Sequence, residues 1–223
     1  MDFVKEVNLS ITTHNLSSLE ILIDSKEDWG LFSHQQSPTF FMLAYYYNNL
    51  EAITLFKRKG YPLDLFEAAI DGDLDLVKSL VIEDPSSVNL YSSDGYPLLG
   101  LACFFDRKNV AELLIKMGAD VNAQSRNPQL VCPLHSAAAA NDIDLVNLLI
   151  HNQVDVNAKQ QGGFTALHAA AQNGNVDMVI ELIEHGADTT ATTDDGQTAL
   201  GIAKKEKRLE MITLLSAQGA HND

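Results

Sequence analysis

The segment from Thr165 to Asp188 recurs along the chain at a fixed interval, and that interval limits what the chain can fold into. It reads Thr165-Ala166-Leu167-His168-Ala169-Ala170-Ala171, then Gly174, then Val176, Val179, Leu182 and Ile183, then Gly186-Ala187-Asp188. Thirty-three residues on, the pattern returns as Thr198-Ala199-Leu200-Gly201-Ile202-Ala203, closed by Leu215 and Gly219-Ala220. Thirty-three residues back, it stands as Cys132-Pro133-Leu134-His135-Ser136-Ala137-Ala138, with Leu149 and Asp155-Val156-Asn157. A unit this short cannot bury its apolar faces alone, so neighbouring units must stack to form a core.

Each unit reads as two helices. The Thr165 hydroxyl can meet backbone N–H groups that lack an intrahelical partner. Pro133, at the position of Ala166, suits the first helical residue, where no N–H is needed. Leu134, Leu167 and Leu200 then point into the stack, and the run Ala169 to Ala171 lets helices approach closely. Gly174 ends this helix in a left-handed conformation. Its equivalents Asn48, Gly72, Asp106 and Asn141 are residue types that tolerate positive φ, whereas Lys207 breaks the rule. Val176, Val179, Leu182 and Ile183 give the second helix one apolar face.

A period of 33 built on a T-P-L-H-x-A core resembles the ankyrin repeat family. The likeness is strong over 63–220, moderate over 39–60 and weak over 1–38. It implies an all-α fold, an ankyrin-repeat α-solenoid of seven stacked helix-turn-helix pairs with short β-turn fingers. The register assigns 1–38 to a degenerate N-terminal capping repeat. It assigns 39–62 to a repeat with a truncated finger, since Phe41 to Leu65 falls nine residues short of a period. Repeats follow at 63–96, 97–131, 132–164 and 165–197, and 198–223 is a C-terminal cap rich in Lys and Arg. In the first repeat Lys5 takes the Thr165 position and Val7 the Leu167 position. Trp29 and Phe32 are expected to cover the exposed end. In 97–131 the Thr and His positions hold Pro97 and Gly100. Two extra residues between Gln124 and Val131, with Asn127-Pro128, predict a longer, exposed finger.

The chain carries 15 basic and 30 acidic residues, for a net charge of −15. That argues against nucleic acid or an anionic membrane surface as a partner, since both need a cationic footprint. An acidic surface also serves solubility alone. Cys103 and Cys132 lack metal-ligand spacing and read as buried free thiols. The start has no basic n-region or long apolar h-region, so no secretory signal is expected, and no apolar run reaches spanning length. The expectation is a cytoplasmic monomer, with export by a route that reads no N-terminal signal left open.

No catalytic residue, metal ligand or cofactor is expected. His14, His34, His151, His185 and His221 are scattered singly, and no H-E-x-x-H, P-loop or G-x-S-x-G pattern occurs. Asp71, Asp73 and Asp75 suit the start of a second helix, where negative charge favours the dipole. The resemblance implies that His135 and His168 are structural, each bridging its own turn to a neighbouring backbone. It also implies a protein or peptide partner on the concave side, built from late residues of the first helices and from turn tips. Carried over by position, that surface includes Tyr46, Tyr47, Asp71, Asp94, Tyr96, Phe104, Phe105, Phe164, Gln172 and Asn173. Tyr46 and Phe104 are equally open to an inward reading, whereas Tyr47, Phe105 and Tyr96 are expected to be exposed. Aromatic anchors ringed by Asp call for a partner with apolar residues and Lys or Arg nearby. An effector or inhibitor acting on another enzyme is the alternative within the same class, and an enzyme or metal protein is the alternative outside it. Asn122 and Asn157, each following a Leu, five residues and Asp-Val, also resemble sites of an asparaginyl hydroxylase. Turn chemistry alone calls for Asn there too.

Overall fold

The computed structural model describes residues 2–219. Ala220 and His221, assigned above to the last repeat and to the scattered histidines, lie outside the described residues. Fifteen α-helices and no β-strand occur among the described residues. They are α1 (Phe3–Thr12), α2 (Leu16–Asp24), α3 (Trp29–Ser33), α4 (Phe40–Tyr46), α5 (Leu50–Arg58), α6 (Leu65–Asp71), α7 (Leu74–Glu83) and α8 (Leu98–Phe104). The remainder are α9 (Lys108–Lys116), α10 (Pro133–Ala139), α11 (Ile143–His151), α12 (Ala166–Asn173), α13 (Val176–Glu184), α14 (Ala199–Lys205) and α15 (Leu209–Gly219). Fourteen of them follow in order along the chain where the seven expected pairs fall, and one short helix, α3, is not predicted by the repeat. The chain divides into two compact units, Met1–Asp71 and Gly72–Asp223. The division separates α6 from α7, within the span 63–96 that the repeat register treats as one piece.

In the N-terminal unit α1 packs on α2 and α4, α5 on α2 and α4, and α6 on α4. Val7, at the Leu167 position, is buried, as are Ile11, Leu19 and Ile23, while Leu16 and Leu22 are half-buried. The cap differs: Asp2, not Lys5, precedes α1 and accepts from the Lys5 N–H at 3.4 Å. The helix therefore starts almost one turn earlier than the register suggests. Trp29 does not cover an end. It is 8% exposed and lies 5.2 Å from both Phe56 and Tyr61. Phe41 stacks on Tyr61 at 5.4 Å, so this core is aromatic. Phe32 meets the edge of Phe3, under the Lys26 ammonium. In α5 Ala52, Ile53 and Phe56 are buried, while Leu50, its first residue, expected on the apolar face, is exposed.

In the C-terminal unit α8, α10, α12 and α14 form one row and α7, α9, α11 and α13 a second. Ala137, Ala138, Ala170, Ala171 and Ala203 are buried in the first row, where small side chains permit close helix contact. In α13 Met178, Val179 and Leu182 are the buried residues, while Val176 and Ile183 are half-buried. The residues Gly72, Asp106, Asn141 and Gly174, after α6, α8, α10 and α12, are left-handed, as is Asn48 after α4 in the N-terminal unit. Lys207 takes φ 57° as well. The pair geometry imposes it, at a cost of about 1 kcal/mol for a side chain without Asn or Asp chemistry.

Fingers precede α8, α10, α12 and α14. Each is closed by a backbone bond: Ser92 N–H to Tyr96 O, Ser125 to Val131, Gln160 to Phe164, and Thr193 to Gln197. Successive fingers are tied by Arg126 N–H to Gly95 O, Gln161 N–H to Gln129 O, and Asp194 N–H to Gly162 O. A Cβ at Gly163 would stand 2.9 Å from Asp194 Oδ1 and 3.0 Å from its backbone N, so glycine permits this approach. Asn127 Nδ2 donates to Asp94 O at 3.0 Å, which docks the long finger to its neighbour.

Candidate functional site

The candidate surface of the C-terminal unit is assembled from the last turns of α8, α10 and α12 and from the fingers. In α8 every residue from Leu98 to Cys103 is buried, yet Phe104 is 51% exposed. Phe105, half-buried, meets it edge-on at 5.1 Å and 89°. The following helices end in exposed Ala139 and Ala140, then exposed Gln172 and Asn173. Asn173 Nδ2 donates to Ala138 O at 2.9 Å, so its amide also ties α12 to α10. The surface thus passes from aromatic to small to polar along the row.

Among the finger residues, Tyr96 is half-buried with its hydroxyl bonded to Gln129. Phe164 is half-buried with its ring edge on His168 at 5.7 Å. Asp94 accepts from the Ser92 hydroxyl at 2.5 Å. Asp194 and Asp195 are exposed, and the Thr193 hydroxyl bonded to Asp195 lowers that carboxyl's pKa. In the N-terminal unit Tyr47 is 50% exposed and Tyr46 half-buried. Asp71 there is engaged: it accepts from the Tyr45 hydroxyl at 2.6 Å and pairs with Lys57 at 2.5 Å. Its side chain is only 9% exposed. Lys57, one helix away in α5, meets the charge, and no sequence spacing links the two residues.

His135 and His168 are buried, and their pKa values are lowered by that burial. The Thr165 N–H and hydroxyl both approach His168 Nδ1, at 3.1 and 2.9 Å. That network assigns the ring proton to Nε2, which donates to Gln197 O at 3.1 Å. His135 repeats the arrangement, with Cys132 N–H and Sγ at Nδ1 and with Ala158 O and Phe164 O at Nε2. The Thr165 hydroxyl therefore serves its histidine. Thr39 and Thr198 do accept from helix N–H groups, those of Met42 and Gly201. In α8 neither partner exists, and a Cβ on Gly100 would press to 3.0 Å from Pro97 Cγ. Asp73 caps α7 through the Leu76 N–H at 3.0 Å, and Asp75 stands in its first turn.

The asparagines form a second series. Asn89 Oδ1 accepts from Asp120 N–H, Asn122 Oδ1 from Asp155 N–H, and Asn157 Oδ1 from Asp188 N–H, each at 2.8 Å. Asn157 Nδ2 also donates to Gly186 O at 2.9 Å. These side chains bond to the following repeat rather than only to their own turn. Cys103 and Cys132 are buried free thiols, each with its pKa raised by burial.

The sequence profile described as ankyrin repeats matches three times, over residues 41–125, 65–160 and 134–223. The chain belongs to the ankyrin repeat family. Over 105 residues it is 34% identical to the Ankyrin repeat and KH domain-containing protein mask of Drosophila melanogaster, covering 46% of this chain and 3% of that protein. It is 31% identical over 103 residues to Ankyrin repeat and SAM domain-containing protein 6 of Rattus norvegicus, covering 46% and 12%. It is 35% identical over 100 residues to Neurogenic locus notch homolog protein 2 of Homo sapiens, covering 44% and 4%. The ankyrin chain thus spans a small fraction of these relatives' length. Among its described residues no helix is long and apolar enough to cross a membrane.

Proposed function

We propose that this ankyrin repeat chain is a non-catalytic scaffold. It holds a protein or peptide segment on the face formed by the last turns of α8, α10 and α12 and the fingers beside them. The observation that carries the reading is Phe104, half exposed at the end of an otherwise buried helix, with Phe105 set edge-on against it. A large aromatic left in water at the end of α8, which packs on α10 with its exposed Ala139, is the composition of a binding hot spot. Asp94, Asp194 and Asp195 in the fingers favour a partner carrying Lys or Arg beside its apolar anchor. The scaffold acts as a monomer, with no nucleic acid and no cofactor in the complex. Asn122 and Asn157 are the residues that an asparaginyl hydroxylase would take, and because both amides bridge repeats, modification requires local opening first.

The test begins with affinity capture and mass spectrometry of the bound partner, followed by titration of the purified pair. Replacing both Phe104 and Phe105 by Ala should weaken binding by about 2 kcal/mol or more, roughly 30-fold, with helical content unchanged. Association should slow with added salt while dissociation changes little. Parental affinity in the double variant would remove this face from consideration.

A further inference from the structure

Three side chains distant in sequence converge in the N-terminal unit. His34 caps the C-terminus of α3, Asp64 precedes α6, and Glu67 stands in the first turn of α6. Their ligating atoms all lie within 4.8 Å of one another, and His34 Nε2 is 3.0 Å from Glu67 Oε2. We propose that His34, Asp64 and Glu67 form a binding site for one divalent transition-metal ion of the Zn2+ type. An ion bonded to an imidazole nitrogen and a carboxylate oxygen at about 2.0–2.2 Å holds those atoms roughly 3 Å apart. The ion takes the place of the His34–Glu67 hydrogen bond, with the imidazole proton on Nδ1.

Two further features suit a cation. First, Glu67 is held in place: the Thr39 and Tyr61 hydroxyls donate to Oε1 at 2.7 and 2.6 Å, and the Asp64 N–H donates to Oε2 at 2.9 Å. Outer hydrogen bonds of this kind orient a metal-binding carboxylate. Second, the negative charge is under-compensated. Glu67 is fully buried, Asp64 half-buried, and among the described residues neither forms an ion pair with Lys or Arg. The two carboxylates crowd each other beside a single imidazole. A bound cation relieves that crowding. The His34 side chain is 27% exposed, which leaves the cluster open to solvent. An imidazole with two carboxylates favours Zn2+ over Mg2+ or Ca2+, which prefer oxygen alone.

The experiment uses the full chain, without a histidine tag and stripped by chelator, titrated with ZnCl2 by calorimetry and equilibrium dialysis. One Zn2+ per chain should bind with a dissociation constant of about 10 μM or below, and the thermal midpoint should rise with the metal. His34→Gln keeps a donor for Glu67, and Asp64→Asn keeps the helix cap. Each should weaken binding about tenfold or more. His151→Gln and His185→Gln, which alter exposed imidazoles, should leave it unchanged. If His34→Gln does not fold by circular dichroism, Asp64→Asn decides alone. Co2+ in place of Zn2+ should give visible ligand-field bands that vanish in the deciding variant. No saturable site, parental affinity in that variant, or loss of binding in the His151 or His185 variant overturns the proposal.

Discussion

The two units join their helix pairs by opposite means. The C-terminal unit repeats one small device: a histidine linking its own helix start to the next finger, an asparagine bridging to the next turn, and a row of buried alanines. The N-terminal unit has no finger between α5 and α6. There Glu67 gathers donors from Thr39, Tyr61, His34 and Asp64, beneath a core of Trp29, Phe41, Phe56 and Tyr61. Where the repeat is regular, cohesion is spread over many equivalent bonds. Where it is truncated, cohesion converges on a single carboxylate.

The sharpest break of that contrast is Glu67→Ala. It removes the acceptor of four donors, of which the Tyr61 hydroxyl keeps Ser33 Oγ at 3.0 Å, and should cost about 3 kcal/mol or more in urea unfolding. His168→Ala removes one copy of a repeated device and should cost about 2 kcal/mol, since Thr165 and Gln197 each lose a bond. The same residue sharpens the comparison through pH. Burial lowers the His135 and His168 pKa values below 6.5, so the unfolded chain binds more protons in that window. Their contribution is complete above about pH 6.5 and is lost as pH falls through the folded values. Urea midpoints measured from pH 7 to 5 should decline for the parent and decline less for His168→Ala. Asn157→Ala should be mildest, at about 1 kcal/mol, because Asn89 and Asn122 still bridge their own repeats. If Asn157→Ala costs as much as Glu67→Ala, cohesion in the C-terminal unit is not distributed.

The regular half was legible because each conformational demand repeats with a residue that meets it. Leu134, Leu167, Gly174 and Asn141 fell where the 33-residue register put them. Lys207 shows the limit: neighbouring helices can impose a left-handed turn on a residue that does not prefer it. The place of Trp29 is not legible because a large aromatic near a terminus reads equally as cover or as core, and only the partners Phe56 and Tyr61 decide. The pairing of Asp71 is not legible because Lys57 belongs to the preceding helix pair. Glu67 left one overlooked sign, the Asp64-Leu65-Phe66-Glu67 spacing of a capping box ahead of an apolar run. Its meeting with His34 left none, since α3 lies outside the repeat register.

The finger bonds and the asparagine bonds cross the same seams, and this makes each seam separately observable. Asp120 and Arg126 donate across one seam, Asp155 and Gln161 across the next, and Asp188 and Asp194 across the third. Each pair of amides is six residues apart and exchanges with solvent deuterium only when its own seam opens. Three local opening free energies can therefore be read from six backbone positions, without perturbing a side chain. Their order would show from which end the array comes apart.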